Sequence, residues 1–521
     1  MKKFFSIFFF GLSAVSLFAQ VKPTNYSFGG NRLAKTLDQT PASNTIEKIL
    51  IQDNVIWLAT GNGLSKSTDN GSTWTNYYNS KDFGTESVSA VAYSNGTIWA
   101  ATWHNETKFD GDHAVGTGLK FSSDQGQTWN SITQPMDQKT DTVITYGINK
   151  LKAVPVATNV DNFVYDIAFT KNTIWAACYK GGGLRKSIDG GKSWSRVVLP
   201  PDNLNSIKPS DILNFSMSQS QFYTLRLYSL LAVDDTTIYV GTAGGIIKST
   251  DNGSSWIKFN HTNQSNPISG NFVLSIKQNH FDKSIWAATW KADGQTEFYG
   301  VSVSYDGGQS WKNFLADEHT LDFGFKYFGA EGNYSGADVI AAADDGAFRS
   351  HDNGNLWIAA PNIIDDFTKV EINTKNFRSV KTNRKIDGST DIWLGTLNGL
   401  AKLNETNGFW TGSWKVFLAS EKLTSTSETY AFPNPFSPSQ DIVKIKYSTD
   451  QPISVTIRIL DFGMHLVRTL IQNAQRNSVG DHFENWDGKD ENGITVPNGV
   501  YFYRIDIGSN KPLFGKIMVL M

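Results

Sequence analysis

Two of the 16 tryptophans in this chain, Trp103 and Trp290, occupy the same position in two copies of a repeat, immediately after a short apolar strand. A potential hydrogen-bond donor follows each of them, and Tyr179 stands at the matching position of a third copy. Aromatic platforms beside polar side chains can stack on sugar rings or bury part of a protein partner. The alternative is that these rings merely cover the ends of the strands. The residues that we expect to bind a ligand are Trp103, His104, Tyr179, Lys180, Trp290 and Lys291.

Acidic residues in the longer loops could carry out a different chemistry, the hydrolysis of a glycosidic bond. That reaction needs two carboxyl groups on either side of the bond, one of them with a raised pKa. The sequence does not indicate which loop acids converge, and loop acids are more often solvated than catalytic. The acids that could form such a pair are Asp110, Asp112, Asp161, Glu297, Asp365 and Asp366.

No metal or cofactor is expected. The eight histidines do not fall at ligand spacing, and His104 with His113 is the only pair close enough to consider. The sequence contains neither a Gly-rich phosphate loop nor a Gly-x-Ser-x-Gly nucleophile motif. The formal net charge of −2 argues against a nucleic-acid partner. The single cysteine, Cys178, cannot form an internal disulfide, and its place at the end of an apolar strand predicts a buried thiol.

The elements that must position these residues are the strands of the repeat itself, which returns seven times. Each copy has an apolar strand A, a small-residue strand B such as Ile98–Thr102, a strand C such as Gly118–Ser122, and a turn leading into strand D. A period of about 40–50 residues built only of short strands is typical of a β-propeller. The sequence therefore predicts an all-β fold with a seven-bladed β-propeller over residues 43–420.

The turn before strand D carries serine, aspartate, glycine and tryptophan at fixed spacing, as in Ser122, Asp124, Gly126 and Trp129. The carboxylate can accept hydrogen bonds from turn amides, the glycine can adopt a positive φ, and the tryptophan can pack between blades. A seventh, eroded copy ends at Trp414. One structural need explains all copies, so we expect no catalytic role for their aspartates. The aspartates expected to be structural are Asp69, Asp124, Asp189, Asp251, Asp306 and Asp352.

This turn resembles the Asp-box (BNR) repeat of sialidases and related propellers. Sialidases pair it with an arginine cluster that holds a carboxylate, a tyrosine nucleophile and an acidic helper. This propeller has few arginines, no Arg-Ile-Pro phrase near its start and seven repeats rather than six, which argues against sialidase activity. Xyloglucan-cleaving enzymes share the turn but usually place two propellers face to face. Similar seven-bladed propellers also act as assembly factors for photosynthetic complexes, which keeps a protein-binding role open.

The two ends of the propeller differ from the repeat. Residues 1–20 begin with Lys2 and Lys3 before a short hydrophobic stretch, which predicts a secretory signal peptide. Residues 21–42 form an N-terminal segment, and no membrane-spanning segment is expected because no other long apolar run occurs. Residues 421–429 are polar and unpatterned, which predicts a linker.

The last part of the chain, residues 430–521, alternates as antiparallel strands, which predicts a small Ig-like β-sandwich. Its motifs, including Phe432–Pro438, Trp486–Gly493 and Pro497–Arg504, resemble the C-terminal sorting domain of type IX secretion substrates. They are also similar to the Ig-like domain of flagellar hook-capping proteins. The resemblance implies that the type IX secretion machinery is a partner through residues 430–521. It also implies export through the periplasm to the outer cell surface or the medium.

Loops that depart from the repeat usually carry the function of a rigid scaffold. The long inserts fall mainly in D–A connections, at 131–162 and 197–226, and in the B–C connection 103–117, all on one face of a propeller. We therefore expect an exported cell-surface or secreted propeller that binds a glycan or a surface protein on this D–A/B–C face. The alternative is a polysaccharide-degrading glycoside hydrolase.

Overall fold

The structure is a computed structural model that describes residues 37–38, 40–179, 182–218, 221–367, 370–385, 387–406, 408–419, 423, 425–439, 442–477 and 479–521. The predicted signal peptide (1–20) lies outside the described residues, as do Lys180, part of the predicted linker 421–429 and most of the segment 21–42. Within the described ranges, no helix is long and apolar enough to span a membrane.

The described chain is nearly all β-structure, which confirms the predicted fold class, and its first 32 strands include seven successive antiparallel sheets, here blades 1 to 7. Blade 1 contains β1 (Leu37–Asp38), β2 (Ile46–Gln52), β3 (Val55–Thr60), β4 (Gly63–Ser67) and β5 (Trp74–Asn76). Blade 2 contains β6 (Ser87–Ser94), β7 (Thr97–Lys108), β8 (Gly111–Ser122) and β9 (Asn130–Ile132). A separate hairpin follows, formed by β10 (Val143–Tyr146) and β11 (Asn149–Lys152). Blade 3 contains β12 (Val164–Thr170), β13 (Thr173–Cys178), β14 (Gly183–Ser187) and β15 (Ser195–Arg196). Blade 4 contains β16 (Ser206–Ile207), β17 (Leu227–Ala232), β18 (Ile238–Thr242), β19 (Gly245–Ser249) and β20 (Trp256–Phe259).

Blades 5 to 7 repeat the same four-stranded pattern. Blade 5 contains β21 (Phe272–Gln278), β22 (Ile285–Trp290), β23 (Gly300–Ser304) and β24 (Lys312–Phe314). Blade 6 contains β25 (Thr320–Ala330), β26 (Asn333–Ala343), β27 (Ala347–Ser350) and β28 (Ile358–Ala359). Blade 7 contains β29 (Phe377–Arg384), β30 (Thr390–Thr396), β31 (Gly399–Glu405) and β32 (Gly412–Phe417). One short 3₁₀ helix, Tyr223–Leu225, precedes β17.

The A strands, one from each blade, form the innermost ring of the propeller. Each contacts the A strands of the preceding and following blades, and β29 of blade 7 contacts β2 of blade 1, so the ring is closed. The extra strand β1 pairs with β5 at the far edge of blade 1 and does not complete blade 7. No strand is therefore exchanged between the first and last blades among the described residues, and side chains close the ring.

The tryptophan of each turn packs against the preceding blade. The ring of Trp129 in blade 2 meets Trp57 of blade 1 edge-on at 6.2 Å between centroids, and Trp256 of blade 4 meets Trp175 of blade 3 in the same way. The turn glycine makes this approach possible, because at Gly253 (φ +79) an added Cβ would lie 2.5 Å from the Trp175 ring. Aromatic pairs of this geometry add stability beyond their buried area. The repeated turn thus joins neighbouring blades.

The turn aspartates accept hydrogen bonds within their own turns. In blade 3, Asp189 accepts from the hydroxyl and the backbone N–H of Ser193 and from the hydroxyl of Ser187, at 2.5, 2.9 and 2.8 Å. The Ser187 hydroxyl also accepts from the backbone N–H of Gly191 at 2.8 Å. These hydrogen bonds, led by that of the Ser193 side chain, lower the pKa of Asp189 to about 2.

The lowered pKa predicts an acid-dependent loss of stability. Because an unfolded aspartate titrates near pH 3.9, the ionised turns stabilise the fold above about pH 4, and this contribution is lost as the pH falls towards about 2. We expect Asp189→Asn to lower the urea midpoint at neutral pH and to reduce its fall between those two pH values. Asp235→Asn, in an exposed turn of another type, is the control. Equal acid sensitivity of Asp189→Asn and the unchanged protein would contradict this role.

Blades 7 and 1 meet at a seam that is rich in side-chain contacts. Trp393 of blade 7 is fully buried, with its centroid 6.4 Å from that of Trp74 in blade 1 and 5.7 Å from that of Phe417. Asn44 also joins the two ends of the ring, since its side-chain oxygen accepts from the backbone N–H of Ala419 at 2.7 Å. Apolar packing and these hydrogen bonds hold the ring closed.

A buried network of charged side chains joins blades 6 and 7. Arg349 donates to Asp338 from Nε at 2.8 Å and to Glu405 from Nη1 at 2.5 Å, and all three residues are at most 2% exposed. Lys326 donates to the second oxygen of Glu405, and His351 contacts Asp338 at the exposed end of the network. Every buried charge of this network has an opposite partner, as burial requires.

Only parts of the two longest D–A inserts lie on the D–A/B–C face, where Asp161 pairs with His113 and Tyr223 with Asp293. Their apolar parts pack against each other on the outer side of blades 3 and 4, where residues such as Leu151, Leu199 and Met217 are buried together. The hydroxyl of Tyr146, in the β10–β11 hairpin, donates to the carbonyl of Ser254, in the turn before strand D of blade 4. Burial of these apolar side chains explains why these parts of the inserts follow the outer edge instead of the face.

The strands after residue 429 form two further sheets. Their strands are β33 (Tyr430–Phe432), β34 (Val443–Thr449), β35 (Ile453–Leu460), β36 (Leu466–Arg476), β37 (Gly480–Trp486), β38 (Gly499–Ile507) and β39 (Leu513–Val519). One sheet has the order β33-β34-β37 and the other β36-β35-β38-β39. A single apolar cluster, with Trp486 and Ile457 fully buried, lies between them. This arrangement is a small β-sandwich.

Candidate functional site

Every A strand contains a β-bulge at the same level, close to the D–A/B–C face. At each bulge the ladder between strands A and B shifts by one residue, as where Ile46 pairs with Thr60 but Lys48 pairs with Ala59. The extra residue is left without a ladder partner. All seven bulged residues are half-buried: Glu47, Ser89, Tyr165, Tyr228, Leu274, Leu321 and Arg378.

The bulged residues surround the mouth of the central channel. Arg378 of blade 7 donates to Glu47 of blade 1 at 2.9 Å, and the Tyr165 and Tyr228 rings of blades 3 and 4 meet edge-on at 5.6 Å. Burial raises the pKa of Tyr165 to about 12, and the charges of Arg378 and Glu47 both act on its hydroxyl. Tyr165 therefore lies within electrostatic reach of the opposite side of the ring and is uncharged at physiological pH.

A continuous line of ring contacts, which we call the aromatic arc, crosses blades 2 to 5 at this mouth. Its members are Trp103, Phe163, Tyr165, Tyr179, Tyr228, Phe272 and Trp290. Neighbouring centroids along it lie 4.4–6.4 Å apart, the range of favourable aromatic pairs. Six of the seven rings are half-buried, and Phe163 alone is buried. The arc thus combines rigid packing with partly exposed rings.

Three of the predicted ligand-binding residues belong to the arc: Trp103, Tyr179 and Trp290. Trp103 stacks on Phe163 at 5.2 Å with an interplanar angle of 20°, and Phe163 contacts Tyr179 at 4.9 Å. At the other end, the Trp290 indole donates to the carbonyl of Thr320 at 2.8 Å. The structure therefore links the two tryptophans that the sequence singled out, although two blades separate them along the chain.

The other predicted ligand-binding residues lie beside the arc or outside the description. His104 forms a pair with Glu86, with 3.0 Å between Nδ1 and a carboxylate oxygen. Lys291 is exposed directly after Trp290. Lys180 lies outside the described residues. The ligand-binding role of the six residues therefore stays a prediction.

The predicted loop acids mostly hold loops in place. Asp112 accepts from the Thr107 hydroxyl at 2.6 Å, in the extended β7–β8 hairpin. Asp110 and Asp161 lie on either side of His113, at 2.9 and 3.1 Å, and their hydrogen bonds raise the pKa of His113. The structure brings Asp110 and Asp161 together through a histidine, an arrangement that attaches the tip of the hairpin to the following D–A insert.

The last three predicted acids accept backbone hydrogen bonds. Asp365 accepts from the N–H of Val416 at 2.8 Å and Asp366 from that of Trp414 at 3.0 Å, so both attach the loop before blade 7 to strand β32. Glu297 is 6% exposed and accepts from the backbone N–H of Ala292 at 2.6 Å and from the Asn271 amide at 2.5 Å. These contacts hold the loop before blade 7 and the β22–β23 loop in fixed positions.

An acid that the sequence analysis missed has the most unusual environment. Burial, together with a hydrogen bond to Asp345 and the nearby charges of that residue, Asp344 and Asp317, raises the pKa of Glu318 to about 7. The next residue, His319, pairs with Asp344 at 3.0 Å and has its ring 4.9 Å from that of Trp290. Glu318, whose carboxyl group is half-protonated near neutral pH, therefore directly precedes the residue that contacts Trp290, the last member of the aromatic arc.

Four arc members were also missed, namely Phe163, Tyr165, Tyr228 and Phe272. Each lies at, or just before, the start of an A strand, where an aromatic residue suggests part of the core. The signal that could have found them is an aromatic residue at the bulge or two positions before it in three consecutive blades, as in Phe163, Tyr228 and Phe272. The corresponding strands of blades 1 and 2 begin with Ile46 and Ser87.

Comparison with known proteins supports the two-part fold. Residues 435–510 match the family described as the FlgD Ig-like domain, and no curated protein matches the chain. An ancestral GH74 enzyme of known structure is similar with a TM-score of 0.53 and 14% identity, over 93% of this chain and 64% of that one. This chain thus spans less than two thirds of that structure, and the likeness concerns the fold alone.

Two further solved structures are similar at lower TM-scores. YCF48 from Cyanidioschyzon merolae gives 0.39 with 15% identity, over 68% of this chain and 94% of that one. PorZ, a surface component of the type IX secretion system of Porphyromonas gingivalis, gives 0.23 with 12% identity, over 92% of this chain and 87% of that one. From strand order, ring closure and the GH74 likeness, we conclude that the chain is a β-propeller followed by an Ig-like domain.

Proposed function

We propose that this protein is an exported binding protein that holds a carbohydrate chain on the aromatic arc. The observation that carries the proposal is the continuity of partly exposed rings from Trp103 to Trp290 at the mouth of the channel. Pyranose rings have apolar faces and polar edges, so they suit a line of aromatic rings bordered by hydroxyl groups. Burial raises the pKa of Tyr228 to about 12, which keeps its hydroxyl neutral and able to hydrogen-bond.

A carbohydrate suits the arc better than a folded protein partner. The arc is a narrow line of rings, whereas stable protein interfaces bury about 1,200–2,000 Å² around a compact group of anchors. The apolar parts of the long inserts, which could have widened this surface, pack instead on the outer side of blades 3 and 4, and short segments such as those with Asp202 and Tyr223 reach the face. A narrow line of this kind suits a linear ligand.

Export is part of the same proposal. Residues 1–20 have the pattern of a secretory signal, and the Ig-like domain carries the motifs that resemble type IX sorting domains. We infer that the secretion machinery recognises residues 430–521 and that the propeller then acts at the outer cell surface or in the medium. The single cysteine, Cys178, is buried, so this fold does not depend on a disulfide.

Replacing both end tryptophans tests the binding proposal. We expect Trp103→Ala/Trp290→Ala to weaken binding to neutral polysaccharides by at least about 30-fold, the loss typical of central anchor residues. Binding can be measured by affinity electrophoresis against a panel of β-glucans, mannans and xyloglucan. Trp103→Phe/Trp290→Phe, which keeps an aromatic surface, should retain most of the affinity. If no polymer binds, or if the alanine variant binds as well as the unchanged protein, the proposal fails.

Polysaccharide hydrolysis is the second candidate function, and Glu318 is the observation that favours it. A carboxyl group with a pKa near neutrality can act as a general acid, and this one lies next to His319, whose ring contacts Trp290. Release of reducing sugar from the same panel, lost in Glu318→Gln while polymer binding is kept, would favour hydrolysis over simple binding.

A further inference from the structure

A cleft of ≈ 190 Å³ lies between blades 4 and 5, beside the aromatic arc. Its lining residues are Asp202, Tyr223, Ala243, Gly244, Asn260, Asn271, Ala292, Asp293 and Glu297. All of them come from D–A and B–C connections or from the residues next to them. The volume is below the ~300–1,000 Å³ typical of pockets for drug-sized ligands, so the cleft can take one small ring.

The cleft is joined to the arc by the contacts of Glu297. Its carboxylate accepts from Ala292, two residues after Trp290, and from Asn271, which directly precedes Phe272. Phe272 and Trp290 are paired across strands β21 and β22. Glu297 therefore fixes the wall of the cleft and the end of the arc together, and a chain lying over these two rings reaches the cleft.

The charged groups that line the cleft are hydrogen-bond acceptors. The Asp202 carboxylate accepts from the backbone N–H groups of Tyr223 and Thr224, at 2.8 and 3.0 Å, and Asp293 accepts from the Tyr223 hydroxyl. Each ionised carboxylate has about four acceptor sites, so Asp202 and Asp293 keep acceptor capacity after these bonds. A ligand in the cleft must therefore supply donors, namely hydroxyl or ammonium protons.

The cations Lys258, Arg226 and Lys291 are close in sequence to lining residues but do not themselves line the cleft. Lys258 is 2% exposed and its Nζ donates to the carbonyl oxygens of Pro201 and Asp202. The Arg226 guanidinium lies over the Tyr223 ring at 4.8 Å. Three carboxylates thus line the cleft, and an anionic group placed beside Asp202 and Asp293 would meet like charges without a hydrogen-bond donor to offer.

We infer that this cleft receives one neutral or amine-bearing sugar ring of the chain bound on the arc, and that it excludes rings carrying a carboxylate. This inference rests on the proposed function. It defines the chemical class of the ligand: polymers of neutral or amino sugars, and neither polyuronates nor sialylated glycans. The Asp293 carboxylate, whose position the Tyr223 hydroxyl fixes, is the main determinant of this selectivity.

Matched pairs of polymers test the inference on the full mature protein. Each neutral polymer of the panel is compared with the same polymer oxidised at C6 to the uronate. We expect oxidation to weaken binding by at least about tenfold, and Asp293→Asn to reduce this ratio severalfold because it removes one charge and keeps the shape. Ala292→Trp, which fills the cleft, should weaken binding of the neutral polymers. Glu331→Gln, an exposed carboxylate in the A–B turn of blade 6, is the matched control and should leave the ratio unchanged.

The outcomes distinguish this inference from the binding proposal. If neutral polymers bind through Trp103 and Trp290, but oxidised polymers bind equally well or Asp293→Asn leaves the ratio unchanged, the cleft has no part in selectivity and the inference is overturned. If no polymer binds, or binding does not depend on the two tryptophans, the binding proposal itself fails.

Discussion

Replacing Arg349 by methionine is expected to lower the free energy of unfolding by about 3–5 kcal/mol, as does removing one partner of a buried ion pair. Arg349 is 2% exposed and bonds to both Asp338 and Glu405. Its removal leaves Asp338 with His351, and leaves Glu405 with Lys326 and the backbone N–H of Trp410. The guanidinium also lies over the Phe409 ring at 4.5 Å, a contact that methionine keeps only in part. Urea unfolding at neutral pH measures the change.

Two further variants make this prediction specific. Arg384→Met removes an exposed arginine of the adjacent blade 7 and should change stability by less than about 0.5 kcal/mol, as is usual for surface positions. The triple change Arg349→Met/Asp338→Asn/Glu405→Gln removes the buried charges together and should recover much of the loss, because no carboxylate is then left unpaired. A triple variant less stable than Arg349→Met would contradict the electrostatic explanation.

Trp393→Ala is expected to open the seam between blades 7 and 1 and to cost about 3–5 kcal/mol, the range for truncating a large buried aromatic side chain. Trp393 is fully buried between Trp74 and Phe417. Because no stretch of the described chain joins blades 7 and 1, the loss falls on the one blade interface held by non-covalent contacts alone, such as the hydrogen bond from the backbone N–H of Gly399 to the carbonyl of Asn44. Hydrogen exchange should therefore increase most in blades 1 and 7.

The matched control is Trp175→Ala, at the interface of blades 3 and 4. Trp175 is also fully buried and meets Trp256 edge-on at 6.2 Å. The polypeptide joins these two blades through residues 197–226, so this variant should lose stability without raising exchange at the seam. Equal exchange patterns for Trp393→Ala and Trp175→Ala would show that the seam is not the weakest interface.

The fold could be predicted from the sequence because the residues that determine the structure of a blade recur within each repeat. The strand B phrase, the strand C glycine and the turn with its aspartate recur at fixed spacing, and all of their contacts are local or lie with the adjacent blade. The turn of blade 4 illustrates this: Asp251 accepts from Ser249 and Ser255 within the turn, and Trp256 reaches blade 3. Short-range contacts of this kind can be predicted from one copy of the repeat and compared with the next copy.

The path of the inserts and the extra strands could not be predicted in the same way. Residues 131–162 and 197–226 have no repeat partner, and their position depends on long-range burial, as between Leu151 and Met217. The pairing of β1 with β5 and of β16 with β20 likewise depends on open strand edges, which the sequence does not reveal. Contacts between segments that are far apart in the sequence determine the path of each insert and the pairing of each extra strand.

The candidate site was predictable only in part. Trp103 and Trp290 differ from the repeat, and this difference singled them out. Phe163 and Phe272 lie at the starts of A strands, where an apolar ring suits the core equally well, so their role in the arc required the geometry of neighbouring blades. Glu318 was missed because its raised pKa depends on burial and then on Asp345, which follows strand B of the next blade.

The seven aligned bulges have a consequence for sequence divergence. A residue without a cross-strand partner is free of the constraints that pairing imposes, and here glutamate, serine, tyrosine, leucine and arginine all occupy the same level. Beyond each bulge the regular pairing resumes. Mutations at these seven codons can therefore change the pore of the toroid one position at a time, so related proteins can acquire new specificities at the centre without altering the architecture around it.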